Sequence, residues 1–170
     1  SSATATSSFN GYEISCNGLS DGAASATAGG GTPTYTYQWN DVNGVMVGET
    51  NSTISGLSAG DYTVKVTDDN SCAITSAALT LSEPAAVTST VAATSNFNGV
   101  NISCNGGNNG AAEVTPGGGA PAANTVYTYQ WNDANGAAIS GETNATITGL
   151  SEGDYTCTVT DENSCPTTSA

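Results

Sequence analysis

Histidine and arginine are absent from this 170-residue chain, and lysine occurs once, at Lys65. Without histidine, neither a Ser-His-Asp nor a Cys-His arrangement can be assembled. The missing histidines and the lack of any Cys-x-x-Cys spacing also argue against zinc. Fifteen acidic residues face that single lysine and give a formal net charge of −14. Such a surface repels phosphate backbones and anionic bilayers, so nucleic acid and direct membrane insertion are excluded as partners. No apolar run is long enough to span a bilayer, and no stretch sustains a 3.6-residue hydrophobic period.

What is present is a unit said twice. Ile14, Cys16-Asn17-Gly18, Tyr35-Thr36-Tyr37-Gln38-Trp39-Asn40-Asp41, Gly60-Asp61-Tyr62-Thr63 and Asn70-Ser71-Cys72 recur between Ile102 and Cys165. The second copy is expanded at Ala122–Thr125 and by one residue after Asn135-Gly136. Insertions that fall in turns, while the flanking runs stay intact, mark a repeated folding unit. The expected division is 1–86 and 87–170. The stretch Ser1–Ser8 resembles the segment around Ser89–Ser95, and both read as linkers. The chain reads as a window cut from a longer array.

Within one unit, turn signals separate short runs of β-branched and aromatic residues. Tyr12, Ile14 and Cys16 alternate as a strand that stops at Asn17-Gly18. Ala23–Ala28 is a small-residue strand, and Tyr35, Tyr37 and Trp39 share one face of the next. Asn43-Gly44 signals a hairpin. Tyr62, Val64 and Val66 alternate inward, and Ala73–Ser82 supplies the last strand before Glu83-Pro84. Leu57-x-x-Gly60-x-Tyr62 has the form of a tyrosine corner, repeated at Leu150, Gly153 and Tyr155. The fold class is all-β: two tandem immunoglobulin-like β-sandwich repeats.

Five cysteines complete the pattern. Repeat symmetry pairs Cys16 with Cys72 and Cys104 with Cys165, one expected disulfide per unit, which implies an oxidising exterior or periplasm. Closing such a loop is worth about 4 kcal/mol on the chain-entropy model. Cys157 is left over; it stands where the first unit has Val64 and is expected to be a buried free thiol.

Cys-Asn-Gly, the glycine-rich turn, Tyr-Thr-Tyr-x-Trp, the Ile-x-Gly-Leu-x-x-Gly-x-Tyr run, the closing Asn-Ser-Cys and the Glu-Pro linker together resemble the SprB-type repeat. That unit recurs in giant surface adhesins of gliding Bacteroidetes and is related to polycystic-kidney-disease-type domains. The resemblance implies a structural and adhesive segment of an extracellular, cell-surface adhesin or filament secreted across the outer membrane, serving attachment or gliding motility. It implies no catalytic residue. The alternative is a carbohydrate-binding or spacer module of a secreted multidomain enzyme.

Expected partners are neighbouring repeats, lateral copies in a filament, and surface polysaccharide or glycan. The paired acids Asp68-Asp69 and Asp161-Glu162 are expected in short turns, where carboxylates would be solvated and have no evident fitness for general acid catalysis. No cofactor is expected, with calcium as the one candidate. Asp41, Asp68, Asp69, Asp133, Asp161 and Glu162 recur at matched loop ends and offer hard oxygen ligands. The Tyr-Thr-Tyr-Gln-Trp aromatics point inward by parity, which leaves them to the core and not to a sugar platform. Phe9 and Phe97, each before Asn-Gly, are expected to pack where units meet.

Overall fold

A computed structural model describes residues 1–120 and 126–169; the expansion Ala122–Thr125 lies outside the described residues. The chain divides at Pro84 into two compact units, Ser1–Pro84 and Ala85–Ala170. The described residues are strands, turns and bends, with no helix among them.

The first unit is a two-sheet sandwich. One sheet has the order β1-β2-β5, formed by β1 (Ser2–Ala5), β2 (Gly22–Thr27) and β5 (Thr53–Leu57). The other runs β4-β3-β6-β7, from β3 (Thr36–Asp41), β4 (Gly44–Val45), β6 (Gly60–Thr67) and β7 (Ala73–Thr75). β8 (Leu79–Leu81) pairs with the start of β6, while β7 pairs with its end. The interrupted strand β7–β8 therefore covers the whole length of β6. All pairings are antiparallel, as in immunoglobulin-like sandwiches.

Trp39, Ile54, Leu57, Tyr62, Val64, Val66 and Leu81 fill the space between the sheets with Ala24 and Ala26. Alternation along β6 puts Tyr62, Val64 and Val66 inside and leaves Lys65 exposed. Trp39 lies opposite Val64 and is fully buried; its indole N–H donates to the Asn51 carbonyl at 2.9 Å. The polar end of the largest core side chain is thus satisfied inside the fold.

The second unit repeats the plan with β9 (Ala85–Ala93), β10 (Gly110–Gly119) and β12 (Thr146–Leu150) in one sheet. The other holds β11 (Thr128–Asn132), β13 (Thr156–Thr160) and β14 (Pro166–Thr168). Trp131 lies opposite Cys157 and donates its indole N–H to the Asn144 carbonyl at 2.9 Å. Pro116 sits in the central strand β10, but beyond the stretch that pairs with β12, so no ladder bond is lost there.

Two expectations are corrected. Tyr12–Cys16 is not a strand: Phe9 bridges Tyr12 across Asn10-Gly11, and Ile14 drops alone into the core. Both Asn10 (φ 49°) and Gly11 (φ 93°) have positive φ, which suits the Asn-Gly pair of such a turn. The presumed linkers are strands instead, β1 and β9. Their alternation is carried by alanine, serine and threonine, with Val87 and Val91 in β9.

Candidate functional site

Each cysteine takes its place from the strand beside it. Cys16 precedes Asn17 and Gly18, whose side-chain amide and backbone N–H hold the Glu83 carboxylate. Glu83 follows β8, and Leu81 of β8 pairs with Gly60, the first residue of β6. Cys72 lies at the far end, in the turn after Thr67; Ala73 pairs with that last residue of β6. Eight residues of strand separate the two ends, roughly 23 Å, whereas a disulfide needs α-carbons within about 7 Å.

The second unit is built alike. Cys104 lies against Gly107, beside the groove at Gly153–Tyr155 that precedes β13. Cys165 follows β13, with its N–H on Asp161. The expected bonds Cys16–Cys72 and Cys104–Cys165 are therefore not formed. Cys72 and Cys104 are exposed free thiols, whereas Cys16 and Cys165 are disulfide-bonded. Repeat symmetry identified matched cysteines but carried no information on which end of the sandwich each occupies.

Cys157 is a free thiol with no exposed surface, and burial pushes its pKa up. It fills the site of Val64 against the core tryptophan of its own unit.

The candidate calcium ligands are spread over the two ends of each sandwich. Asp41 follows Asn40, which pairs with Thr63, while Asp68 and Asp69 follow Thr67 at the other end of the same ladder. Asp133 and the pair Asp161-Glu162 are separated in the same way along β11 and β13. Most of these carboxylates are already engaged by backbone. Asp68 accepts the N–H of Thr32 (2.9 Å) and of Cys72 (2.8 Å), and those bonds hold its pKa below the ordinary range. Asp161 accepts from Ala120, Asn163 and Cys165 at 2.8–2.9 Å and is buried. Asp41 and Asp133 accept N–H groups within their own hairpin turns, and Glu162 accepts from Val126. Asp69 donates its backbone N–H to Thr32. Among the described residues, no three acid, cysteine or histidine side chains converge as a metal cage would require.

The aromatic pattern is consumed by the fold. Trp39 and Trp131 have no exposed surface. Tyr35 and Tyr127 donate their hydroxyls to the Gly30 and Gly118 carbonyls. Tyr62 donates to the Ser58 carbonyl at 2.9 Å, a closed tyrosine corner, and Tyr155 does the same to Ser151 at 3.3 Å.

A groove of about 610 Å³ in the second unit was not foreseen from the sequence. Ile102, Gly110 and Leu150 form its apolar floor, and Gly153–Tyr155 its edge. The signal was in the repeat alignment: these residues match Ile14, Gly22, Leu57 and Gly60–Tyr62, which β8 covers in the first unit.

The SprB repeat family model matches residues 12–44 and 96–136, one segment in each unit. Each unit therefore carries a segment that matches the SprB repeat. The matched segments run from the Asn-Gly turn through the core tryptophan, so they include the Cys-Asn-Gly corner and the central strand of each sandwich. No curated protein matches the chain. Among solved structures, the amphioxus IgVJ-C2 molecule is similar at 15% identity, covering 82% of this chain and 88% of that one, with a TM-score of 0.33. The fibronectin(III)-like modules of CbhA from Clostridium thermocellum are similar at 14% identity, with 98% and 91% covered and a TM-score of 0.36. The topology of each unit rests on its own strand order. SprB repeats belong to surface proteins, and a disulfide fits an extracellular protein. Repeat modules of this kind are typically non-catalytic. No helix of the described residues is long and apolar enough to cross a membrane.

Proposed function

We propose that this chain is a structural and adhesive segment of a large extracellular adhesin or filament, used for attachment or gliding motility, and that it is not an enzyme. The observation that supports this most is the tandem pair of SprB repeats, each a sandwich with its own core. The tryptophans and most of the recurrent acids of each repeat go into holding its own turns and sheets. A unit so occupied works by repetition: many weak contacts along an array add up to firm attachment, with no deep site in any one repeat. The net charge of −14 keeps such units from clumping.

The test is antibody labelling of intact cells of the source organism, with attachment to glass and to polysaccharide-coated surfaces measured in the presence of the purified chain. Surface labelling and competitive loss of attachment are expected. Labelling confined to permeabilised cells contradicts the proposal.

A further inference from the structure

One three-residue pattern, asparagine, a residue other than proline, then threonine, stands at a matched place in both repeats: Asn51-Ser52-Thr53 and Asn144-Ala145-Thr146. Each copy opens a strand at the rim of its sheet. β5 (Thr53–Leu57) is the last strand in the order β1-β2-β5, and β12 (Thr146–Leu150) is the first in β12-β10-β9.

The fold fixes the backbone here and leaves the side chains to solvent. The Asn51 carbonyl accepts the Trp39 indole N–H, and the next carbonyl, that of Ser52, accepts the Ala26 N–H at 2.7 Å. Asn144 and Ala145 serve Trp131 and Val114 in the same way, at 2.9 and 2.8 Å. Ile54 and Ile147, which follow the threonines, are buried, so strand alternation turns both threonines outward. Asn51, Thr53, Asn144 and Thr146 are all exposed. The related triplet Asn101-Ile102-Ser103 is built differently. Asn109 accepts the Ser103 N–H at 3.1 Å and donates its amide to the Ser103 hydroxyl at 2.6 Å. Ile102 is partly buried, and the first repeat has Glu13 at the place of Asn101.

The rims themselves are poorly guarded. An edge strand offers unpaired N–H and C=O groups to a second chain, and charged side chains or proline at the edge deter such pairing. Thr53–Leu57 and Thr146–Leu150 contain neither. Gly56 (φ 73°) and Gly149 (φ 74°) break the register near the end of each strand, which leaves the opening residues without a guard.

We propose that Asn51 and Asn144 are sites of N-linked glycosylation, and that their sugars shield the β5 and β12 edges. This rests on export of the chain, as the adhesin reading does, but on no adhesive role. The donor is an oligosaccharide carried on a lipid diphosphate. In the transfer, the bond between sugar C1 and the diphosphate oxygen breaks, and the diphosphate leaves with the electron pair. C1 bonds to the asparagine Nδ2, and one amide proton passes to a basic group of the transferase. The product carries a bulky, solubilising group at the head of each edge strand.

The experiment recovers the chain from the surface of cells of the source organism and maps its glycopeptides by mass spectrometry after chymotryptic digestion. The proposal predicts sugar mass on the peptides holding Asn51 and Asn144, and none on the peptide holding Asn101. Expressed in the same cells, Thr53→Ala and Thr146→Ala each lose the sugar at their own site, whereas Thr53→Ser and Thr146→Ser keep it. These threonines are exposed, so neither exchange removes a core side chain. In light scattering, chain without sugars self-associates at concentrations where the modified chain stays monomeric. Equal solubility of the two forms overturns the shielding role. Bare Asn51 and Asn144 on surface-recovered chain overturn the proposal and leave the adhesin reading standing. Sugar that persists in Asn51→Gln and Asn144→Gln overturns it too, because the attachment is then to hydroxyls. Unmodified chain confined within the cells overturns both readings.

Discussion

Asp161 accepts the backbone N–H of Ala120, forty-one residues earlier, at 2.8 Å, and so ties the glycine-rich loop to the turn that ends in Cys165. The same carboxylate approaches the place where Gly119, at φ +77°, would carry a side chain. In the first repeat Asp68 accepts the Thr32 N–H and lies where a side chain on Gly31 would go. Removing Asp161 strands several N–H groups in a buried setting. Asp161→Ala should therefore destabilise the second repeat by about 1–3 kcal/mol. Gly119→Ala should destabilise it too, since it adds a strained φ and a clash with that carboxylate. Separate denaturation of the two repeats, followed by tyrosine and tryptophan fluorescence, checks both.

Acid should weaken the first repeat. Backbone N–H groups hold the Asp68 carboxyl below its ordinary range, and the Ser82 hydroxyl does the same for Glu13. The Ser15 hydroxyl lowers Asp21 likewise. A carboxyl depressed in the folded state contributes stability above its unfolded pKa, about 4. That contribution is lost as pH falls through the lower folded value. Melting curves from pH 6 to pH 2 should show the first repeat losing stability below about pH 4. Asp68→Asn and Glu13→Gln should flatten that limb. In the second repeat Asn101 replaces Glu13, so this part of the acid response is absent there.

Much of the core was legible in the sequence, because its signals are large and local. A tryptophan within an alternating aromatic strand, and a tyrosine five residues after a leucine, have few all-β explanations, and both repeats use them as expected. The strands β1 and β9 were misread as linkers because their inward residues are mostly alanines and their outward ones serines and threonines. That alternation differs too little in hydrophobicity to stand out from a flexible segment. Tyr12–Cys16 misled in the opposite way: alternation was present, but only Ile14 is buried. The cysteine pairing failed for a geometric reason. Matched positions in two copies say that residues are equivalent, and give no distance between them.

The tyrosine corners should differ in worth between the repeats. Tyr62 is buried and donates to Ser58 at 2.9 Å, whereas Tyr155 is more exposed and its bond to Ser151 is 3.3 Å long. Tyr62→Phe should cost about 1 kcal/mol and Tyr155→Phe appreciably less. Paired urea titrations of the two variants measure it.

Cys157 should behave as a valine with a dormant thiol. Its side chain has no exposed surface, and burial raises its pKa, so little thiolate forms near neutral pH. Cys157→Val should change stability by less than about 1.5 kcal/mol, since Val64 fills the same site in the first repeat. Alkylation of Cys157 should follow unfolding, while exposed Cys72 and Cys104 react at once in the native chain.

The most direct test of the account is to map the disulfides of the intact, non-reduced chain by mass spectrometry, after alkylation of free thiols under denaturing conditions. Opposite-end placement predicts label on Cys72, Cys104 and Cys157, with Cys16 and Cys165 labelled only after reduction. Peptides joining Cys16 to Cys72, or Cys104 to Cys165, would contradict it, because those bonds cannot form unless the two ends of a sandwich meet.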